Sequence, residues 1–148
     1  MARQSIRVEL GPRSYDVHVG EGELGGVGRA AAAMGDVTGV AVITDSTVAR
    51  LYGPGVLESL AEAGLAAGLV EFSPGEQHKT LVTCGEVFDK LFALSPPPDR
   101  QSLIVALGGG VVGDLAGFVA ASALRGLRWM QCPTTLLADV DASVGGKT

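Results

Sequence analysis

Aromatic residues, histidine, cysteine and basic charge are all scarce in this chain. Aromatics make up 5% of the 148 residues, and 22 glycines stand against them. Many glycines in a compact chain imply tight turns and close backbone approaches. Lys and Arg number 11 against 16 Asp and Glu, a net charge of -5. That balance argues against nucleic acid as the default partner, because neutralising phosphates needs clustered cations. A small anion needs only a local positive pocket. The two cysteines, Cys84 and Cys132, lack metal-ligand spacing and read as small hydrophobes in a reducing, cytoplasmic setting. His18 and His78 are the only histidines, and no acid–histidine cluster suggests a metal site within the chain. Residues 1–10 contain no apolar core of a secretory signal. Residues 103–124 are strongly apolar, yet Asp114 and three consecutive glycines favour a buried strand–turn–helix over a membrane span. No repeat or low-complexity tract is present.

What is there fits one domain with a well-filled core, 47% hydrophobic and 18% charged. Ile6, Val8 and Leu10 alternate with polar residues, Gly11-Pro12 interrupts, and Tyr15, Val17 and Val19 alternate again. This predicts a β-hairpin within residues 1–20. From residue 39 onward the pattern becomes short apolar runs separated by amphipathic stretches. Strands are expected at 39–44, 68–72, 102–107 and 129–132, with helices at 56–63, 80–94 and after the glycines at 108–110. Asp45-Ser46 is placed to cap a helix. In the 80–94 helix Cys84, Val87, Phe88, Leu91 and Phe92 share one face. Strands alternating with helices predict an α/β fold, a Rossmann-like parallel sheet flanked by helices over residues 39–148.

The strongest local signal is Gly108-Gly109-Gly110-Val111-Val112-Gly113-Asp114, set after a buried strand and opening a helix. Gly108, Gly110 and Gly113 satisfy G-x-G-x-x-G, which lets backbone amides and a helix dipole meet a pyrophosphate. A glycine-rich turn needed for helix–sheet packing is the other reading. Asp114 either complements the helix dipole or accepts hydrogen bonds from a nucleotide. Thr134 and Thr135 follow a strand, where they either cap a helix or meet a ligand at the strand's carboxyl end. Glu76 and Lys79, also after a strand, supply an acceptor and a cation, or an exposed ion pair. Arg125 and Arg128 flank Gly126; surface arginines are usually solvated, but Arg125 precedes a buried strand and is a candidate anion grip. Gly146-Lys147-Thr148 is not a phosphate-binding P-loop, because that motif needs glycine where Asp141 stands. Lys147 reads instead as a point charge for an anion.

Residues 108–118 (GGGVVGDLAGF), 124–126 (LRG) and 131–148 (QCPTTLLADVDASVGGKT) together resemble dehydroquinate synthases. Residues 44–48 (TDSTV) and 74–80 (PGEQHKT) fit the same pattern, so the resemblance covers the chain beyond the hairpin. It implies a lyase of the shikimate pathway that serves aromatic amino acid biosynthesis. Such an enzyme converts 3-deoxy-D-arabino-heptulosonate 7-phosphate to 3-dehydroquinate with loss of phosphate, using NAD bound between two domains. By resemblance, Asp45, Ser46 and Thr47 would contact the adenosine side. Glu76 and Lys79 would hold ribose and phosphate, and Gly109, Gly110 and Val111 the pyrophosphate. Asp114, Thr134 and Thr135 would complete the cofactor site. Asp141 would bind substrate hydroxyls, and Arg125 and Lys147 substrate anionic groups. The resemblance also implies zinc or cobalt held by a glutamate and two histidines of a helical C-terminal domain. That domain is expected to be absent here, so the chain alone is expected not to turn over, and the face it leaves open is a candidate surface for a homodimer. Cys132 departs from the β-branched residue usual at its position, a packing change. The rival readings are another sugar phosphate cyclase such as 2-deoxy-scyllo-inosose synthase, a metal-dependent alcohol dehydrogenase, and a non-catalytic NAD-binding module.

Overall fold

A computed structural model describes residues 4–143. An antiparallel hairpin, β1 (Gln4–Val8) and β2 (Tyr15–Val19), precedes helix α1 (Val27–Ala33). Then come β3 (Val40–Asp45), α2 (Ser46–Glu62), β4 (Ala67–Phe72), α3 (Leu81–Phe92), β5 (Leu103–Gly108), α4 (Gly110–Ser122) and β6 (Arg128–Pro133). A π-helical segment, Ala138–Ala142, ends the described part. The last four strands form one parallel sheet in the order β4-β3-β5-β6. This is the Rossmann-like α/β architecture expected from the alternation of elements.

Strand alternation decides which helix covers which face. Ala41, Ile43, Val70, Phe72, Ile104 and Ala106 point to one side, where α3 and α4 bring Cys84, Val87, Leu91, Val112, Leu115 and Val119. Val40, Val42, Leu103, Val105 and Leu107 point to the other, packed by Val27, Ala31, Val56 and Leu60 of α1 and α2. Central strands covered on both faces must be apolar throughout, and all six residues of β5 are buried.

The helices depart from expectation in three places. The α/β unit takes in α1, upstream of residue 39, for which no helix was expected. Gly28 there lies so close to α2 that a Cβ would collide with the Ser59 backbone carbonyl. Its N–H donates to Ser59 Oγ at 3.0 Å, and that hydroxyl donates to the Gly25 carbonyl at 2.9 Å. Helix α2 begins at Ser46, well before residue 56, and continues through Gly53-Pro54-Gly55. Its buried stripe Ala49, Gly53, Val56, Leu60 keeps helical spacing across the proline, so packing on the sheet outweighs the lost hydrogen bond. In α3 the buried face turns toward Thr83, and Phe92 is 42% exposed, its ring stacked 6.4 Å from Phe88.

Residues 103–124 form β5, the glycine turn and α4, and no described helix is long and apolar enough to cross a membrane.

Candidate functional site

The chain passes from β3 to β4 in one direction along the sheet and from β4 to β5, then β6, in the other. The reversal opens a crevice at the carboxyl ends of β3 and β5, which is where open α/β sheets bind ligands. Four loops reach that edge. They carry Asp45, Ser46 and Thr47 after β3, Glu76 and Lys79 after β4, Gly109, Gly110, Val111 and Asp114 after β5, and Thr134 and Thr135 after β6. The fold thus gathers at one edge all eleven residues assigned to a cofactor by resemblance. Asp141 follows in the π-helical segment.

Gly109 is extended (φ -81°, ψ -167°) and occupies the N-cap position of α4, where no side chain caps the helix. The first amides of α4 are therefore presented at the crevice together with the positive end of its dipole, an arrangement suited to an anion. The glycines divide into two kinds. A Cβ on Gly108 would sit 2.5 Å from Val112 Cγ2, and one on Gly113 would sit 2.8 Å from Gln131 Oε1. These two are needed for helix–sheet packing. A Cβ on Gly110 would meet nothing nearer than Ala142 at 3.5 Å, and one on Gly109 would touch Thr135 at 3.2 Å. Gly110 has room for a side chain within the fold and keeps its backbone bare.

Asp114 projects from α4 to the loop after β4. Lys79 Nζ donates to its Oδ2 at 2.5 Å, with the two side chains 44% and 22% exposed. The hydrogen bond and charge of Asp114 raise the Lys79 pKa above its ordinary value, and the charge of Glu76 adds to the effect. Lys79 pairs across the crevice with Asp114, not locally with Glu76.

The capping readings are also realised. Asp45 Oδ1 accepts the N–H groups of Thr47 and Val48 at 2.8 and 3.0 Å. Thr135 Oγ1 accepts from Ala138 N at 3.2 Å, and Thr134 N donates to the Gly108 carbonyl at 3.0 Å, tying the loop after β6 to the glycine loop. The same residues can brace the crevice and face into it.

Arg125 stands apart. It follows the far end of α4 and precedes β6, about 20 Å from Gly110 along a 13-residue helix. There Leu124 and Arg125, at φ 50° and 72°, take the left-handed conformation that non-glycine residues rarely adopt. Arg128 is structural: its guanidinium donates to the carbonyls of Met34, Gly35, Asp36 and Gln101 at 2.8–3.1 Å. Lys147 lies outside the described residues. Among the described residues, His, Cys, Asp and Glu form no group of three able to hold a metal ion.

Gln131 carries no role of its own in the sequence pattern. Its Nε2 is buried without a hydrogen-bond partner among the described residues, a deficit that costs about 1–3 kcal/mol for such a donor. Only its neighbour Gly113, unable to bear a side chain beside it, marks the position.

The family model for the 3-dehydroquinate synthase N-terminal region matches residues 69–148. A strand–glycine–helix crevice of this kind defines a nucleotide-binding α/β domain, and the chain belongs to the 3-dehydroquinate synthase N-terminal family. It is 49% identical over 144 residues to the 3-dehydroquinate synthase of Pelotomaculum thermopropionicum, covering 97% of this chain and 38% of that protein. With the Paracoccus denitrificans 3-dehydroquinate synthase it shares 47% over 148 residues, 100% of this chain and 40% of that one. The chain thus spans about two fifths of the length of these curated relatives. Among solved structures, 2-deoxy-scyllo-inosose synthase complexed with carbaglucose-6-phosphate, NAD+ and Co2+ superposes with a TM-score of 0.79 at 27% identity, over 91% of this chain and 36% of that one. A Streptomyces hygroscopicus 2-epi-5-epi-valiolone synthase with NAD+ and Zn2+ bound gives 0.66 at 32% identity, over 77% of this chain and 31% of that one.

Proposed function

We propose that this chain is the NAD-binding part of a 3-dehydroquinate synthase, a cytoplasmic lyase that releases phosphate from 3-deoxy-D-arabino-heptulosonate 7-phosphate. The observation that carries the reading is the uncapped amino end of α4 at the switch-point crevice, with Lys79 and Asp114 meeting beside it. Bound there, NAD supplies a hydride acceptor, which makes the C–H next to an oxidised alcohol acidic enough for elimination.

The residues present fit a dinucleotide. Bare backbone at Gly109 and Gly110 leaves the α4 amides open to a pyrophosphate, and Lys79 places a cation beside it. Glu76 accepts ribose hydroxyls, while Asp45, Ser46 and Thr47 border the adenosine end. Asp114, Thr134 and Thr135 close the cofactor site, with Val111 contributing a backbone amide. Asp141 takes substrate hydroxyls, and Lys147 and Arg125 take anionic groups. Arg125 lies at the opposite edge of the sheet, so its contact needs a partner subunit, in the proposed homodimer, or chain beyond the described residues to bring the substrate to it. Zinc or cobalt, held by the C-terminal part of the full-length enzyme, would polarise the reacting alcohol.

A related cyclase of the 2-deoxy-scyllo-inosose synthase kind shares the fold, but identities of 47–49% to 3-dehydroquinate synthases favour the first reading. The test is calorimetric titration with NAD of the wild-type protein and of Asp114→Ala and Lys79→Ala. Wild-type heat that both folded variants lose supports the cofactor site. Failure of the full-length protein to bind at millimolar NAD sinks it. Phosphate release from the heptulosonate phosphate, and none from a hexose 6-phosphate, separates the two cyclases.

A further inference from the structure

Gln131 has no task in the reading above. It lies in β6 opposite Ala106 of β5, on the face that Trp129 shares with α4. Its Oε1 sits 2.8 Å from where a Cβ on Gly113 would stand, so the first turns of α4 rest against this amide. Its Nε2 is buried and finds no acceptor among the described residues. A methionine would fill nearly the same volume without any unpaired polar atom. Folding alone therefore gives no reason for glutamine here.

Two observations point to what it does. The contact falls under the third glycine of the nucleotide loop, and the donor lies two residues short of Pro133, where β6 enters the site. The Gly113 N–H donates to the Gly109 carbonyl at 3.0 Å, so the residue seated on this amide is tied directly to the glycine at the helix N-cap.

We propose that Gln131 is a positioning residue for the glycine loop: its amide seats Gly113 and thereby fixes the turn whose amides meet a nucleotide phosphate. This rests on the NAD-binding reading.

The experiment compares melting temperature and NAD titration in the full-length protein for wild type, Gln131→Met, Gln131→Ala and Gln131→Ala with Gly113→Ala. The expected result is opposed shifts in the methionine variant: a melting temperature equal to or above wild type, and an NAD dissociation constant raised about tenfold, or about 1.4 kcal/mol. Gln131→Ala lowers both stability and affinity because it empties the space beside Gly113. Adding Gly113→Ala refills that space and restores melting temperature but not affinity. A methionine variant that binds NAD within twofold of wild type overturns the proposal while leaving the cofactor site standing. One whose melting temperature falls along with its affinity reduces Gln131 to core packing. A wild type that binds no NAD removes the site itself, and this inference with it.

Discussion

Gly108 and Gly110 are two residues apart and differ in what a methyl group would meet. At Gly108 the added carbon lies 2.5 and 2.7 Å from the Val112 side chain, whose short branched form cannot swing away; at Gly110 it lies 3.5 Å from Ala142. Gly108→Ala is expected to destabilise by about 1–3 kcal/mol in denaturant titration, the range for overpacking. Gly110→Ala should leave stability within about 1 kcal/mol and weaken NAD binding, since it covers amides a phosphate would use. Equal effects on stability, with no change in binding, would reduce the whole loop to packing. The G-x-G-x-x-G spacing was readable in the sequence, but this division was not. It depends on Val112, Gln131 and Thr135 as neighbours in space. Cys132 gives a second prediction at this scale. Burial pushes its thiol from 9.0 up to about 12. The folded-state pKa is raised, so the native state retains a proton that the unfolded state releases. Stability is intact below pH 9 and falls between about 9 and 12, with a slope near 1.4 kcal/mol per unit. Alkaline melting curves of wild type and Cys132→Val should converge toward neutral pH and separate above 9. Parallel curves across that window would mean that the thiol ionises in the folded state.

At the scale of elements, the helix starts are set by side chains that also border the crevice. Asp45 accepts two amides at the start of α2, and removing such a cap costs about 0.5–2 kcal/mol. Asp45→Ala should lower unfolding free energy by that amount, and Asp45→Asn should recover most of it, since the amide oxygen still accepts. An alanine variant as stable as wild type would assign Asp45 to ligand contact alone. The cap was legible because Asp-Ser follows an apolar strand. The first half of α2 was not, because Gly53-Pro54-Gly55 is the usual mark of a turn and the buried stripe across it uses Ala49 and Gly53, too small to register as apolar periodicity. Helix α1 escaped for the same reason: its buried face is Val27, Gly28 and Ala31. Helix α3, with larger residues, is legible over 80–94, overrunning the observed Leu81–Phe92 by a residue or two at each end, and only Phe92 falls on the wrong side. Small side chains that let helices approach closely leave little trace in hydrophobic pattern.

The molecule as a whole divides unevenly between a doubly covered sheet and an exposed hairpin. Strand order, and with it the crevice, followed from alternating strands and helices, which is why the residues after each strand fell together. Arg125 did not, because it precedes β6, and the start and end of a strand are opposite edges of the sheet. The same architecture fixes where stability resides. In β3 five of six residues are buried and in β5 all six, with parallel partners on both sides. In β1 and β2 no residue is fully buried, and among the described residues each strand pairs only with the other. A two-stranded ribbon is marginal in water without a packed face, whereas amides in a core sheet exchange only through global opening. Native-state hydrogen exchange should therefore find the β3 and β5 amides protected to the full unfolding free energy. The amides of the β1–β2 ladder should exchange at least a hundredfold faster, a gap of about 2.8 kcal/mol at the tenfold-per-1.4 conversion. Hairpin amides as protected as those of Val42 and Val105 would require the ribbon to be covered by something other than the described chain.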